Sequence, residues 1–182
     1  ITKQIKDIEH LVSEFSDFAR MPKPIFKKIY VNQLMQRSLN LYVASEENII
    51  FEFNKNNKNA KMNADEEQFN RVFVNLIKNS IESINEKQSK IVDFKGKIII
   101  DIKEDSDYIY ITITDNGVGF NEVNKTKMLT PYYTTKKKGT GLGLAIVTKI
   151  ISDHNSTIEF NSIKDGAQIE ILIPKIILYE KF

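Results

Sequence analysis

The 182-residue chain contains no cysteine, only two histidines and a net charge of only +2. The missing cysteine excludes disulfides and thiol chemistry and suits a reducing compartment. Two histidines without cysteine leave a zinc site short of ligands. A near-balanced charge supplies no broad basic field, so nucleic acid is not expected as the main partner. No apolar run approaches the roughly 20 residues of a membrane span. The charged, amphipathic start over residues 1–20 is no signal peptide. What remains is 41% hydrophobic and 27% charged residues, the composition of a globular protein. The length suits one domain plus an arm. The chain opens without Met, inside a helical pattern, and reads as part of a longer protein.

Along the chain, Ile1, Ile5, Ile8, Val12, Phe15 and Ala19 repeat at heptad spacing and predict a coiled-coil-like helix over 1–20. Met21-Pro22-Lys23-Pro24 ends it, because proline cannot continue a helix. Residues 21–30 read as a stiff linker. A second helix is expected over 31–45 with Asn32 as N-cap. Ile49 to Phe53 alternates as a strand, and Ala60 to Ala64 is expected to complete a hairpin with it. Asp65, with Gln68 three residues on, opens the longest helix through a capping box. Strands are expected over 97–103 and 108–114, joined by a tight polar turn. Helix 142–153 precedes a last hairpin, closed by Asp165-Gly166.

The chemistry gathers in a few stretches. Gly139, Gly141 and Gly143 alternate with Thr140 and Leu142 just before a helix. Glycine lets backbone amides approach an anion, and the helix start adds free N–H groups and a positive dipole end, which together suit phosphate. Asn75 and Asn79 lie one turn apart beside the apolar stripe of the long helix, with Glu82 and Glu86 read as extending the same strip. Asparagine is a poor helix-interior residue, and its amide oxygen can ligate a hard cation such as Mg²⁺. Asp115 ends a strand beside Gly117 and Gly119, where a carboxylate can accept a hydrogen bond from a ligand amine. Residues 120–138 lack periodicity and carry Lys136 and other lysines, as a lid over polyphosphate would.

These stretches, in this order, resemble the ATP-binding catalytic domain of two-component sensor histidine kinases, in the superfamily shared with DNA gyrase, MutL and the heat-shock chaperone ATPase. Asn75-Leu76-Ile77-Lys78-Asn79 is similar to the N box and Asp115-Asn116-Gly117-Val118-Gly119 to the first glycine box. Pro131-Tyr132-Tyr133-Thr134-Thr135-Lys136 is similar to the F box, with Tyr where Phe is usual. Gly139-Thr140-Gly141-Leu142-Gly143-Leu144 is similar to the second glycine box. Glu14 to Pro22 resembles the NtrY-type nitrogen-regulation branch.

The resemblance implies a Bergerat (GHKL) α/β two-layer sandwich: a mixed sheet with helices on one face, preceded by the coiled-coil-like helix. Residues 1–20 would be the second helix of the dimerisation and phosphotransfer hairpin, 21–30 the linker and 31–182 the ATP-binding domain. It implies ATP and Mg²⁺ as cofactors. Asp115 would bond the adenine amine, and Asn79 would ligate Mg²⁺ with Asn75 close by. Gly117 and Gly119 would admit the base. Gly139, Thr140, Gly141, Leu142, Gly143 and Leu144 would wrap the phosphates. Tyr132 or Tyr133 would anchor the lid, with Thr134 and Thr135 beside them, and Lys136 would offset charge. Catalysis would fall to Asn75 and Lys136. Asn75 stands where related ATPases carry Glu and has no carboxylate to activate water. The expected reaction is therefore phosphoryl transfer to histidine. Neither His10 nor His154 lies in an H box, so the acceptor is expected in a helix upstream of Ile1. A response regulator and a second copy are the expected partners. The fragment is expected in the cytoplasm, with any membrane anchor in other segments. The alternatives are a clamp-type GHKL ATPase and a non-catalytic nucleotide-binding module.

Overall fold

Isoleucine rows on three strands make the floor of the core. In a computed structural model that describes residues 12, 15–16, 19–55, 60–120, 130–133 and 140–175, strands β1 Lys27–Tyr30, β2 Ile49–Lys55, β3 Lys61–Ala64, β4 Gly96–Glu104, β5 Tyr108–Asp115, β6 Thr157–Ile163 and β7 Gly166–Pro174 combine with helices α1 Val31–Val43, α2 Glu66–Gln88 and α3 Gly143–Asp153. The main sheet has the order β2-β4-β5-β7-β6. Its β2–β4 pair is parallel and the others are antiparallel. Register aligns Ile100 with Ile113 and Ile113 with Ile169, and Ile102 with Ile111 and Ile111 with Ile171. Strand alternation sends all of these to one face, where all are buried. Tyr108 and Tyr110 stand on the opposite, open face.

Helix α2 crosses the covered face. Asp65 caps it, accepting from the Gln68 N–H at 3.0 Å, and Glu66 and Glu67 complement the dipole in its first turn. Phe69, Phe73, Leu76, Ile77 and Ile84 recur at helical spacing and are fully buried. Helices α1 and α3 flank α2 and complete a two-layer sandwich. Residues read as linker supply β1, which pairs antiparallel with β3, Ile29 facing Met62.

The hairpin expected between Ile49–Phe53 and Ala60–Ala64 does not form. Strand β2 pairs in parallel with β4, and β3 turns to β1. Alternation marks a strand but does not name its partner. Asn32 is not an N-cap either. Helix α1 starts at Val31 after Tyr30, without a side-chain cap. The Val31 N–H instead donates to the Ala60 carbonyl at 3.1 Å, so tertiary backbone replaces the cap. Gly166 belongs to β7 rather than to the turn, paired with Ile163.

Candidate functional site

One flank of α2 lines the site. Asn75, Asn79, Ser83 and Lys87 follow each other at one-turn intervals. Glu86, read as extending the Asn75–Asn79 strip, pairs with Lys90 at 2.7 Å. From Asn75 to Ser83 the helix rises about 12 Å, enough to separate a base end from a phosphate end.

At the Ser83 end lies Asp115, at the C-terminus of β5 and only 4% exposed. Its Oδ1 accepts from the Gly117 N–H at 2.9 Å and faces the Ser83 hydroxyl at 3.5 Å. Ser83 Oγ in turn accepts from the Val118 N–H at 3.0 Å. Burial raises the Asp115 pKa, while the Gly117 N–H, the Ser80 and Ser83 hydroxyls and the Lys87 charge act against it. The turn beyond Asp115 is tied down through Asn116. Its Oδ1 accepts from the Lys97 N–H at 2.7 Å, and its carbonyl accepts from Lys87 Nζ at 2.8 Å.

Glycines set the clearances. A Cβ on Gly117 would stand 2.2 Å from Ser83 Oγ and 2.6 Å from the Ser83 backbone. Helix α2 therefore demands this glycine in the free protein, whatever ligand approaches. Gly119 has φ +75°, where side chains are strained, and a Cβ there would meet the Gly166 carbonyl at 2.7 Å. A Cβ on Gly166 would fall on the Asp115 carbonyl.

At the other end, Asn75 Nδ2 donates to the Arg71 carbonyl at 2.8 Å, which turns Oδ1 outward. That oxygen lies 3.0 Å from the place a Cβ would take on Gly143. Gly143 opens α3, which has neither a side-chain cap nor an acidic residue in its first turn, leaving its amides and dipole to an anion. Leu142 is fully buried and can offer a ligand only backbone, while Leu144 packs against the core. The Leu142 N–H reaches Thr140 Oγ1 at 3.3 Å. Gly141, at φ +71°, accepts from the Tyr132 N–H at 3.1 Å. Tyr132 itself has φ +69°, and the Tyr133 N–H donates to the Thr130 carbonyl. The N box, both glycine boxes and the start of the F box thus meet along one helix. Thr134, Thr135, Lys136 and Gly139 lie outside the described residues, as does His10.

Ser83 and Lys87 are absent from the sequence reading, which gave Gly166 only as part of a turn. Ser83 and Lys87 carried a usable signal: they extend the Asn75–Asn79 spacing by further helical turns. The Gly166 constraint is invisible locally, because it comes from a strand distant in the chain.

A buried carboxylate at one end of a helix flank and an uncapped helix start at the other suit a ligand with an amine at one end and phosphate at the other, held on an α/β two-layer sandwich. The chain belongs to the histidine kinase-, DNA gyrase B-, and HSP90-like ATPase family, whose model matches residues 64–177. It is 36% identical over 172 residues to a putative sensor histidine kinase NtrY-like of Rickettsia conorii, covering 94% of this chain and 28% of that protein. To the nitrogen regulation protein NtrY of Azorhizobium caulinodans it is 33% identical, covering 91% of this chain and 21% of that protein. The chain thus spans under a third of these relatives. The solved catalytic domain of histidine kinase ThkA shares 28% identity, with a TM-score of 0.73 over 83% of this chain and 96% of that chain. ThkA in complex with a response regulator matches at a TM-score of 0.78 and 23% identity, over 96% of this chain and 49% of that chain.

Proposed function

We propose that this chain is the ATP-binding catalytic part of an NtrY-type sensor histidine kinase, passing the γ-phosphoryl group of ATP to a histidine upstream of Ile1 for relay to a response-regulator aspartate. The observation that carries the reading is Asn75. Its amide oxygen faces Gly143 at the phosphate end, where a hydrolytic enzyme needs a carboxylate base. An amide can orient and ligate but cannot take a proton from water. Positioning and charge neutralisation then account for the catalysis.

Asp115 would accept from the adenine amine, with Gly117 holding its other lone pairs. Asn79 would ligate Mg²⁺, and the backbone of Thr140, Gly141, Leu142, Gly143 and Leu144 would hold phosphate oxygens together with Gly139 and Lys136. Among the described residues no group of three or more His, Cys, Asp or Glu could hold a metal, so the ion would take most of its oxygens from the nucleotide and water. Bound Mg²⁺ would neutralise charge on the transferring group. His154, only 2% exposed, is unsuited as acceptor.

Residues 1–20 are assigned to the second helix of the phosphotransfer hairpin. Strand β1 supports starting the catalytic domain at Lys27 rather than at residue 31. Among the described residues no helix is long and apolar enough to cross a membrane. The fragment is proposed to work in the cytoplasm, with a homodimer formed by the full-length protein. The test is calorimetric titration of Mg²⁺-ATP into this chain and into Asp115→Ala, followed by a phosphohistidine assay on the full-length protein. Binding lost in the variant, with phosphohistidine formed only when upstream sequence is present, is expected. Fast phosphate release by this chain, or phosphohistidine on it, would refute the assignment.

A further inference from the structure

Between the helical residues ending at Ala19 and strand β1 the chain runs through residues 20–26, and it is held to the domain at Met21, Pro22, Ile25 and Phe26. Met21 packs against the core. The Pro22 carbonyl accepts from Gln68 Nε2 at 3.0 Å. The Ile25 N–H donates to Asp65 Oδ2 at 2.8 Å. The Phe26 ring meets His154 edge to face, with centroids 5.0 Å apart. Pro22 and Pro24 have fixed φ between these anchors. The anchors converge on one buried group. His154, at the C-cap of α3, accepts from the Asp65 N–H through Nε2 at 3.0 Å and lies with Nδ1 2.8 Å from the Ile150 carbonyl. An acceptor at Nε2 requires the neutral tautomer protonated at Nδ1. The Phe69 ring, 4.8 Å away, packs on the same imidazole.

Histidine therefore does more here than fill space. It joins the C-terminus of α3, whose N-terminus is the phosphate end of the site, to the N-cap of α2, which carries Asn75 and Asn79. Asp65 then passes the connection to the linker. Beyond the linker, Phe15 lies 6.2 Å, ring to ring, from Tyr132, whose N–H is bonded to Gly141. The arm and the nucleotide loop are thus in contact while the linker is pinned.

We propose that His154, Asp65 and Gln68 form a clasp that fixes the linker to the catalytic domain and so positions the ATP site against the arm for phosphoryl transfer. His154 is a positioning residue that touches no substrate. This inference rests on the kinase reading above and adds to it the element that sets the reach of the site. A clasp that slips leaves the nucleotide bound and misplaces it relative to the acceptor.

The test compares wild type with His154→Ala, His154→Gln and Ile25→Pro in the full-length protein. Gln keeps an acceptor for the Asp65 N–H, and Pro at 25 deletes the linker's donor without touching the core. Phosphoryl transfer is expected to fall about 10- to 100-fold in His154→Ala and Ile25→Pro. The dissociation constant for Mg²⁺-ATP should stay unchanged, and His154→Gln should recover most of the rate. Amide exchange of Ile25 and Asp65, read in the present chain, should quicken in His154→Ala and not in His154→Gln. Equal losses of binding and transfer would reduce the clasp to a stability element and overturn the proposal. So would full transfer in both Ile25→Pro and His154→Ala, or unchanged exchange. Absence of transfer in the wild type would refute the kinase reading, and this inference with it. Unchanged exchange alone would refute only the clasp.

Discussion

Replacing Gly117 by Ala probes the junction on which the base end of the site depends. The added Cβ would stand 2.2 Å from Ser83 Oγ, 2.6 Å from the Ser83 carbonyl carbon and 2.8 Å from the Ile84 nitrogen. The serine hydroxyl can rotate away, but the other atoms belong to the backbone of a helix whose next residue, Ile84, is fully buried. Relief requires β5 and α2 to part by roughly half an ångström to one ångström, which loosens the core between them. Overpacking of this kind costs about 1–3 kcal/mol. For a chain of this size, each kcal/mol lowers the melting temperature by about 2–4 °C, so a drop of roughly 2–12 °C is expected, about 4–8 °C at the middle of the cost range. The shift also lengthens the Gly117 N–H bond to Asp115 and weakens Mg²⁺-ATP binding. Gly96→Ala is the internal control. Its Cβ would meet Ile84 Cγ2 and Ile49 Cγ1, at 2.4 and 3.0 Å, side-chain atoms that can swing off rotamer for about 0.5–1.5 kcal/mol, less than parting helix backbone. Calorimetric melting of both variants decides the matter. A Gly117→Ala protein that melts with wild type, or above Gly96→Ala, would refute the packing argument.

Asp115→Asn should separate stability from function. Burial raises the Asp115 pKa, so its contribution is greatest below the ordinary value of 3.8 and is lost as pH rises; the neutral amide should melt higher at pH 7. Its affinity for Mg²⁺-ATP should fall by about 10- to 100-fold, the worth of a hydrogen bond to a charged group, and a loss under about threefold by calorimetry would reject the assigned partner. Burial lowers the His154 pKa against the opposing Ile150 carbonyl and the Asp65 and Asp153 charges. Its contribution is full above the ordinary 6.5 and is lost as pH falls through the depressed value, so the urea midpoint should decline below pH 6.5 in wild type and lose that step in His154→Gln. Asn79→Ala should leave the fold intact and remove the Mg²⁺ dependence of nucleotide binding; titration with and without Mg²⁺ would expose a wrong ligand by showing an unchanged difference.

Much of this was legible because it is periodic or locally capped. The stripe from Phe69 to Ile84, the Asp65 cap and the alternation of Ile109, Ile111 and Ile113 depend on neighbours within a turn or a pleat. The turn at Glu104–Asp107 and the position of Asp115 at a strand end follow from the same signals. Ser83 shows where such reading stopped. A serine on a helix is unremarkable until β5 brings Asp115 to it. Lys87 likewise becomes part of the site only through the Asn116 carbonyl.

The amino-acid sequence by itself determined helices α1, α2 and α3 and the strands other than β1, since each is written in residue types at short spacing, and its resemblance to the family supplied the boxes and the missing base at Asn75. Tertiary structure alone decided that β3 joins β1, that Ala60 rather than Asn32 receives the first free amide of α1, that Gly117 and Gly166 must lack side chains, and that His154 ties the linker to α2. Each of these depends on a contact between residues far apart in the chain. A local pattern can announce an unsatisfied donor or an apolar edge, but which distant group meets it is settled by packing the whole.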